Sequence, residues 1–439
     1  MRTEKVQKLL LNFLVLCILI FTYITELQAA NQTDWSESEI TFLKLNWINN
    51  LSTNSTDPSN KYSDNLETIK FGHLLFFDKK FSKNGEISCA SCHVPEKSFT
   101  DGLAKAEGVG TTARSTPSII GIADSKWFFW DGRSDSLWSQ ALSPLESPEE
   151  HGGNRSQFAH IIFNDPVYRK SYQNIFGALP DMNDKTRFPE NAAPGINDLL
   201  SSNWNSMNKV DQNAITRIFV NIAKAIDAYQ RIILPSPSRF DKYVSAVMNS
   251  TPNTYLSEDE ISGLKLFIGK AMCITCHQGP LFTNHGFHNV AAPDPASSQF
   301  LNFILNLFRE KPSFDTGRYQ GIKEAKASKF NCLSEYSDAS VGDCAELRFA
   351  NTAYSSTLGA FKVPTLRNIA ETAPYFQMGQ FSTLSEVLNH YNNAPEAAIG
   401  HSELTPLGLT SKELVEIEAF LHSLSSPPSV AAEWLSNPH

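Results

Sequence analysis

Two short runs carry residues whose types and spacing point to chemistry: Cys89-Ala90-Ser91-Cys92-His93 and Cys273-Ile274-Thr275-Cys276-His277. In each, cysteines three apart fall on one face of a helical turn, and a histidine follows at once. C-x-x-C-H is the attachment pattern of a c-type haem. The thiols add to the two vinyl groups, and the histidine binds the iron from one side. A zinc site, a thioredoxin-like redox pair and a chance match compete with that reading. Zinc usually draws its remaining ligands from a distant pair, not from the next residue. With 11 histidines in 439 residues, two chance matches are improbable. The pattern predicts two covalently bound haem c groups, one on Cys89 and Cys92 and one on Cys273 and Cys276. His93 and His277 are the expected proximal iron ligands.

The rest of the chain must position these runs. A length of 439 residues allows two or three domains. With 41% hydrophobic and 19% charged residues, the composition is that of a globular protein and excludes a disordered one. A net charge of −9 argues against nucleic acid and anionic membrane surfaces, and suits a basic electron-transfer partner. Arg2, Lys5 and Lys8 precede an apolar run over 9–24, interrupted by Asn12 and Thr22, and Ala29 and Ala30 offer a cleavage site. Residues 1–30 therefore read as a signal peptide for export to the periplasm, with an uncleaved anchor as the alternative. Of seven cysteines, Cys17 leaves with the signal and four hold haem. Cys332 and Cys344 remain, an expected disulfide in an oxidising compartment, or else two free thiols.

Helical apolar spacing over 65–78 delivers the chain to the first motif. Further helices are expected over 37–49, 157–177, 211–231 and 411–424. The one at 211–231 has a continuous apolar face and is expected to bridge two halves. Residues 136–151 begin as a helix that Pro144 and Pro148 interrupt. The polar, acid-bearing turn there is a candidate peroxide pocket. Ser257 with Glu260 and Thr410 with Glu413 form capping boxes. Pro235-Ser236-Pro237 marks a boundary. The expected fold is mainly α, with two cytochrome c-like haem domains, 31–235 and 236–439, as one module used twice. Residues 291–330 read as an insertion. Its apolar stretch 300–308 is expected to be a buried helix, with a docking surface as the alternative.

Two C-x-x-C-H motifs flanking Trp127-Phe128-Phe129-Trp130-Asp131-Gly132-Arg133 resemble the bacterial di-haem cytochrome c peroxidases. Val363-Pro364-Thr365-Leu366-Arg367-Asn368 and Ala373-Pro374-Tyr375-Phe376 resemble their second-haem region. Three departures place the chain nearer the MauG branch, which oxidises protein side chains. No histidine lies between His93 and His151, where the peroxidases cap the first iron. Tyr391 stands where they put a methionine on the second haem. Gln377 follows Pro-Tyr-Phe, where the family tends to have histidine. The stretch 151–229 is most similar to the MbnH type, which modifies a tryptophan on a partner protein.

The resemblance implies a first haem open on its distal side, lined by Gln140, Pro144 and Glu150. Glu150, with Glu149 and Glu146 as rivals, would move a proton between the oxygens of hydrogen peroxide. It implies Trp130 between the haems as a hole relay. Tyr391 would be the sixth ligand of the second haem, against Met378 and His390 as competitors. Arg367 would pair with a haem propionate. Carbonyls of Thr372 and Pro374 would leave room for one calcium, with Ser115 in place of the family's asparagine ligand. The implied activity is peroxide-driven formation of high-valent haem iron that oxidises a Trp or Tyr of a cupredoxin- or cytochrome-like partner. The alternatives are a peroxide-scavenging cytochrome c peroxidase fed by such a donor, and a non-catalytic di-haem electron carrier.

Overall fold

The computed structural model describes residues 35–52, 57–295 and 314–439. The expected signal peptide and the apolar stretch 300–308 lie outside the described residues. The architecture is mainly helical, and the only strands among the described residues are the antiparallel pair β1 (Phe287–His288) and β2 (Phe361–Lys362).

The helices start where short polar side chains take up free backbone N–H groups. Ser36 caps α1 (Glu37–Asn46), Asn65 caps α2 (Leu66–Phe77) and Ser136 caps α3 (Leu137–Glu146). Asn154 caps α4 (Arg155–Asn164), Asp165 caps α5 (Pro166–Phe176) and Asn208 caps α6 (Lys209–Arg231). Ser238, Ser257, Thr383 and Thr410 form capping boxes on α7 (Arg239–Met248), α8 (Glu258–Ile268), α9 (Leu384–Asn393) and α10 (Ser411–His422). Two boundaries differ from the sequence expectation. The helix expected over 157–177 is two helices, because Asp165 caps a new start and Pro166 occupies its first turn. Conversely, α3 continues through Pro144 to Glu146. The cost is one helical hydrogen bond, since Pro144 has no N–H to give the Gln140 carbonyl.

There are two main cores. The first gathers Phe71, Phe76, Trp138, Phe158, Phe219 and Tyr229, with Cys89 and Ala90 packed on it. The second gathers Phe240, Phe267, Phe282, Leu388 and Phe420, with Cys273 and Ile274 packed on it. Each core therefore carries one C-x-x-C-H turn. The apolar face of α6 lies wholly in the first core, against α2 and α3, and does not bridge the halves as expected.

The cores exchange ends. Phe42 and Leu43 of α1 belong to the second core, where Trp35 Nε1 donates to Tyr243 Oη at 2.9 Å. Trp434 and Leu435 pack on the first core, and Tyr229 Oη donates to the Trp434 carbonyl at 2.5 Å. Both ends thus cross the boundary expected at 235.

One crossing repeats in the two modules. The α2–α6 and α8–α10 pairs approach so closely that a Cβ on Gly72 would strike the Ala225 carbonyl, and one on Gly263 the Glu416 carbonyl. Glycine is required at both places because backbone occupies the room a side chain would need. Cys332 and Cys344 form a disulfide closing a short loop.

Candidate haem sites

The two turns are built alike. The N–H of His93 donates to the Cys89 carbonyl at 2.9 Å, and that of His277 to the Cys273 carbonyl at 2.9 Å. Each histidine is then fixed by a carbonyl a few residues on. His93 Nδ1 donates to Phe99 at 3.1 Å, and His277 Nδ1 to Phe282 at 2.9 Å. A carbonyl only accepts, so Nδ1 carries the proton and Nε2 keeps a free lone pair. Such an outer hydrogen bond is how metal-binding imidazoles are oriented. Phe99 and Phe282 have φ of 59° and 52°, left-handed conformations that phenylalanine rarely adopts. Both are fully buried, and packing holds them there. Burial keeps His93 below the ordinary histidine range and pushes His277 down to about 4, so both stay neutral. The donor set fits a haem at each turn.

Beyond the turns the surroundings diverge. Beside the first, Glu150 is half-buried, and desolvation raises its carboxyl above the ordinary value. Its charge is felt by the Cys89 and Cys92 thiols, and Arg133 acts on it from the other direction. Its carbonyl accepts from Val109 at 2.8 Å, and a Cβ on Gly108 would strike the same backbone. The two rivals are differently placed. Glu146 is bound by Arg155, with Nη2 to Oε2 at 2.7 Å, and Glu149 is exposed. Gln140 and Pro144 stand four apart on one face of α3. His151, whose nearness no sequence spacing signals, places Nε2 4.0 Å from Cys89 Sγ and hydrogen-bonds the Phe81 carbonyl through Nδ1.

The second turn opens onto a cavity of about 580 Å³ with mainly apolar walls. Cys273, Cys276 and His277 line it, and so does Tyr391 of α9. The Tyr391 ring stacks on Phe376, centroids 6.2 Å apart, and burial raises its hydroxyl pKa. Neither competitor lines the cavity. His390 Nε2 donates to the Val290 carbonyl at 2.8 Å, and the Met378 N–H donates to Gln380 Oε1 at 2.9 Å.

Trp130 forms part of the cavity wall. Its Nε1 donates to the Ser115 carbonyl at 3.0 Å, and its own carbonyl accepts from the Lys362 N–H at 2.8 Å. Thr100, next to the carbonyl that fixes His93, lines the same cavity. The two sites thus share a wall. Thr372 and Pro374 also line it, while the Ser115 hydroxyl is engaged with the Phe376 carbonyl at 3.1 Å. Among the described residues no group of three or more His, Cys, Asp or Glu side chains is placed to hold a metal ion.

Arg367 departs from expectation. It is buried, and all five of its N–H donors are directed at protein: Pro280 and Asn46 carbonyls, Ser238 Oγ and both Asp241 oxygens. Nothing is left for a propionate. Asp241 lies 126 residues away, and no local signal ties it to Arg367.

A mainly helical chain with two such histidine turns sharing one wall belongs to the class of two-module haem oxidoreductases. A family described as di-haem cytochrome c peroxidase matches residues 66–248. The chain is 25% identical to the methylamine utilization protein MauG of Methylorubrum extorquens over 83% of its own length and 79% of that protein. It is 28% identical to the cytochrome-c peroxidase IdrP1 of Denitromonas iodatirespirans, over 82% and 81%. A crystal structure of a MauG-like protein associated with microbial copper homeostasis superposes with a TM-score of 0.57 at 26% identity, covering 85% of this chain and 93% of that one. The diheme peroxidase BthA of Burkholderia thailandensis shares the fold, with a TM-score of 0.58 at 20% identity over 84% and 89%. Residues 66–248 thus match the di-haem cytochrome c peroxidase family, and most of the chain is similar to MauG and to cytochrome-c peroxidases. It is an oxidoreductase of the di-haem peroxidase type, with two haem groups.

Proposed function

We propose that this protein is an exported, MauG/MbnH-like enzyme that uses hydrogen peroxide to oxidise a Trp or Tyr side chain of a partner protein. The haems, joined by thioethers to Cys89, Cys92, Cys273 and Cys276, supply peroxide cleavage and hold the oxidising equivalents when bound. His93 and His277 orient through the Phe99 and Phe282 carbonyls and offer Nε2. Glu150 holds and moves a proton at its carboxylate beside the first site, with Gln140 and Pro144 framing the approach. Trp130, hydrogen-bonded through Nε1, is placed to pass charge along the shared wall. Tyr391 offers its phenolic oxygen to the second site, and the Thr372 and Pro374 carbonyls are the candidate ligands of one calcium.

The observation that carries this reading is the cavity wall: Tyr391 lines it, and Met378 and His390 do not. A phenolate favours oxidised iron, which suits a store of oxidising equivalents more than a scavenger's reductive cycle. The likeness to a MauG-like protein associated with copper homeostasis supports a small copper protein as the partner class. The test is an EPR spectrum of the resting ferric protein beside that of Tyr391→Phe. The expected result is one high-spin and one low-spin haem, with the low-spin signal changed by the substitution. The native protein should also react with peroxide without prior reduction.

A second reading is a cytochrome c peroxidase that scavenges peroxide with electrons from a small cytochrome or cupredoxin. The relatives named cytochrome-c peroxidase IdrP1, at 28% identity, favour it. A requirement for one-electron reduction before turnover would select it.

A further inference from the structure

A haem brings two carboxylates into a mainly apolar cavity, and a buried carboxylate needs a cation or several donors. Four basic side chains other than the ligand His277 line the second cavity: His285, His288, Lys362 and Arg367. Three have carboxylate partners already. His285 lies 3.3 Å from Asp124, His288 2.6 Å from Glu403, and Arg367 is clasped by Asp241. Lys362 stands apart: among the described residues no carboxylate pairs with it. Its Nζ has one neutral contact, Ser125 Oγ at 3.2 Å. That hydroxyl in turn donates to the Trp127 carbonyl at 2.7 Å. With nothing to offset burial, the ammonium pKa falls to about 8. The position is also rigid, since the Lys362 N–H donates to the Trp130 carbonyl and Lys362 pairs with Phe287 across β1 and β2.

We infer that Lys362, steadied by Ser125, is the cation that neutralises a propionate of the second haem. It takes the place expected of Arg367. This rests on the reading of the cavity as the second haem's seat. Lys362 is a positioning and charge-compensating residue; it does not touch peroxide. Because its backbone holds Trp130, it couples the charge state of the second site to the wall the two sites share.

The test compares the full-length holoprotein with Lys362→Gln and Lys362→Arg, with haem content measured as the pyridine haemochromogen. Removing the cation leaves the propionate uncompensated and favours the ferric state. Lys362→Gln should therefore shift the second haem's reduction equilibrium at least tenfold toward ferric, about 59 mV for one electron. The first haem should move less than threefold, and Lys362→Arg should stay within threefold of native at both. Should the Gln variant not accumulate, Lys362→Arg carries the test: its changed reach should move the propionate bending band of the second haem in resonance Raman spectra. An unmoved potential in Lys362→Gln, or an unmoved band in Lys362→Arg, overturns the inference. A native chain with a single haem overturns the underlying reading and the inference with it. Two haems with no shift overturn only the role of Lys362.

Discussion

The two C-x-x-C-H turns are near copies in scaffold and opposites in surroundings. Both orient histidine on the carbonyl of a buried phenylalanine in left-handed conformation. Both sit under a helix crossing that only glycine permits. Yet the first is flanked by a half-buried acid, Glu150, and the second by a mainly apolar cavity lined by Tyr391. Repetition supplies the place to hold iron; the parts that are not repeated decide what each iron can do.

The difference is sharpest at Glu150. Glu150→Gln should slow reaction with hydrogen peroxide by about 10²–10⁴-fold, measured by stopped-flow absorbance, with both haems retained. Similar rates in the variant would remove the functional contrast between the sites. The pH profile gives the sign independently. Burial raises the Glu150 carboxyl, so it holds its proton past the ordinary carboxylate range. As a base it must lose that proton, so the native rate should climb as pH rises through the raised value. That limb should vanish in Glu150→Gln. By linkage, the same raised value favours the fold at low pH, an advantage lost as pH rises through it.

Next in size is Arg367→Met, which strands Asp241 as a buried, unpaired carboxylate. A loss of roughly 3–5 kcal/mol in denaturant unfolding is expected. The second haem's potential should hold in the fraction that folds, because Arg367 serves the core and not the cofactor. A potential shift larger than that of Lys362→Gln would return Arg367 to the haem. The smallest effects test the likeness itself. Gly72→Ala and Gly263→Ala should each cost about 1–3 kcal/mol, as overpacking does. Loss at one site alone would show that the two crossings are not equivalent in energy.

Much of this was legible in the residues. The two motifs, the capping boxes at Ser257 and Thr410, and the helix of 211–231 all follow from local spacing. The place of Tyr391 on the second cavity wall was suggested only by resemblance, since a tyrosine late in a helix is usually packing. What stayed hidden is non-local or conformational. Phe99 and Phe282 carry no signal in residue type for the backbone turn that aims their carbonyls. The Arg367–Asp241 pair joins segments far apart in sequence, so an arginine in a segment resembling a second-haem region invited a propionate as partner. His151 and Lys362 become site residues only when β-pairing and turns bring them in. Pro144 misled because a helix tolerates one lost bond when its neighbours pack well.

The exchange of chain ends between the cores bears on how such a protein can be made. Severing the polypeptide near 235 would leave one fragment without the Trp434 contact to Tyr229, and the other without α1 and its bond from Trp35 to Tyr243. Neither fragment could close its own interior. Haem loading of one half is thus tied to synthesis of the whole.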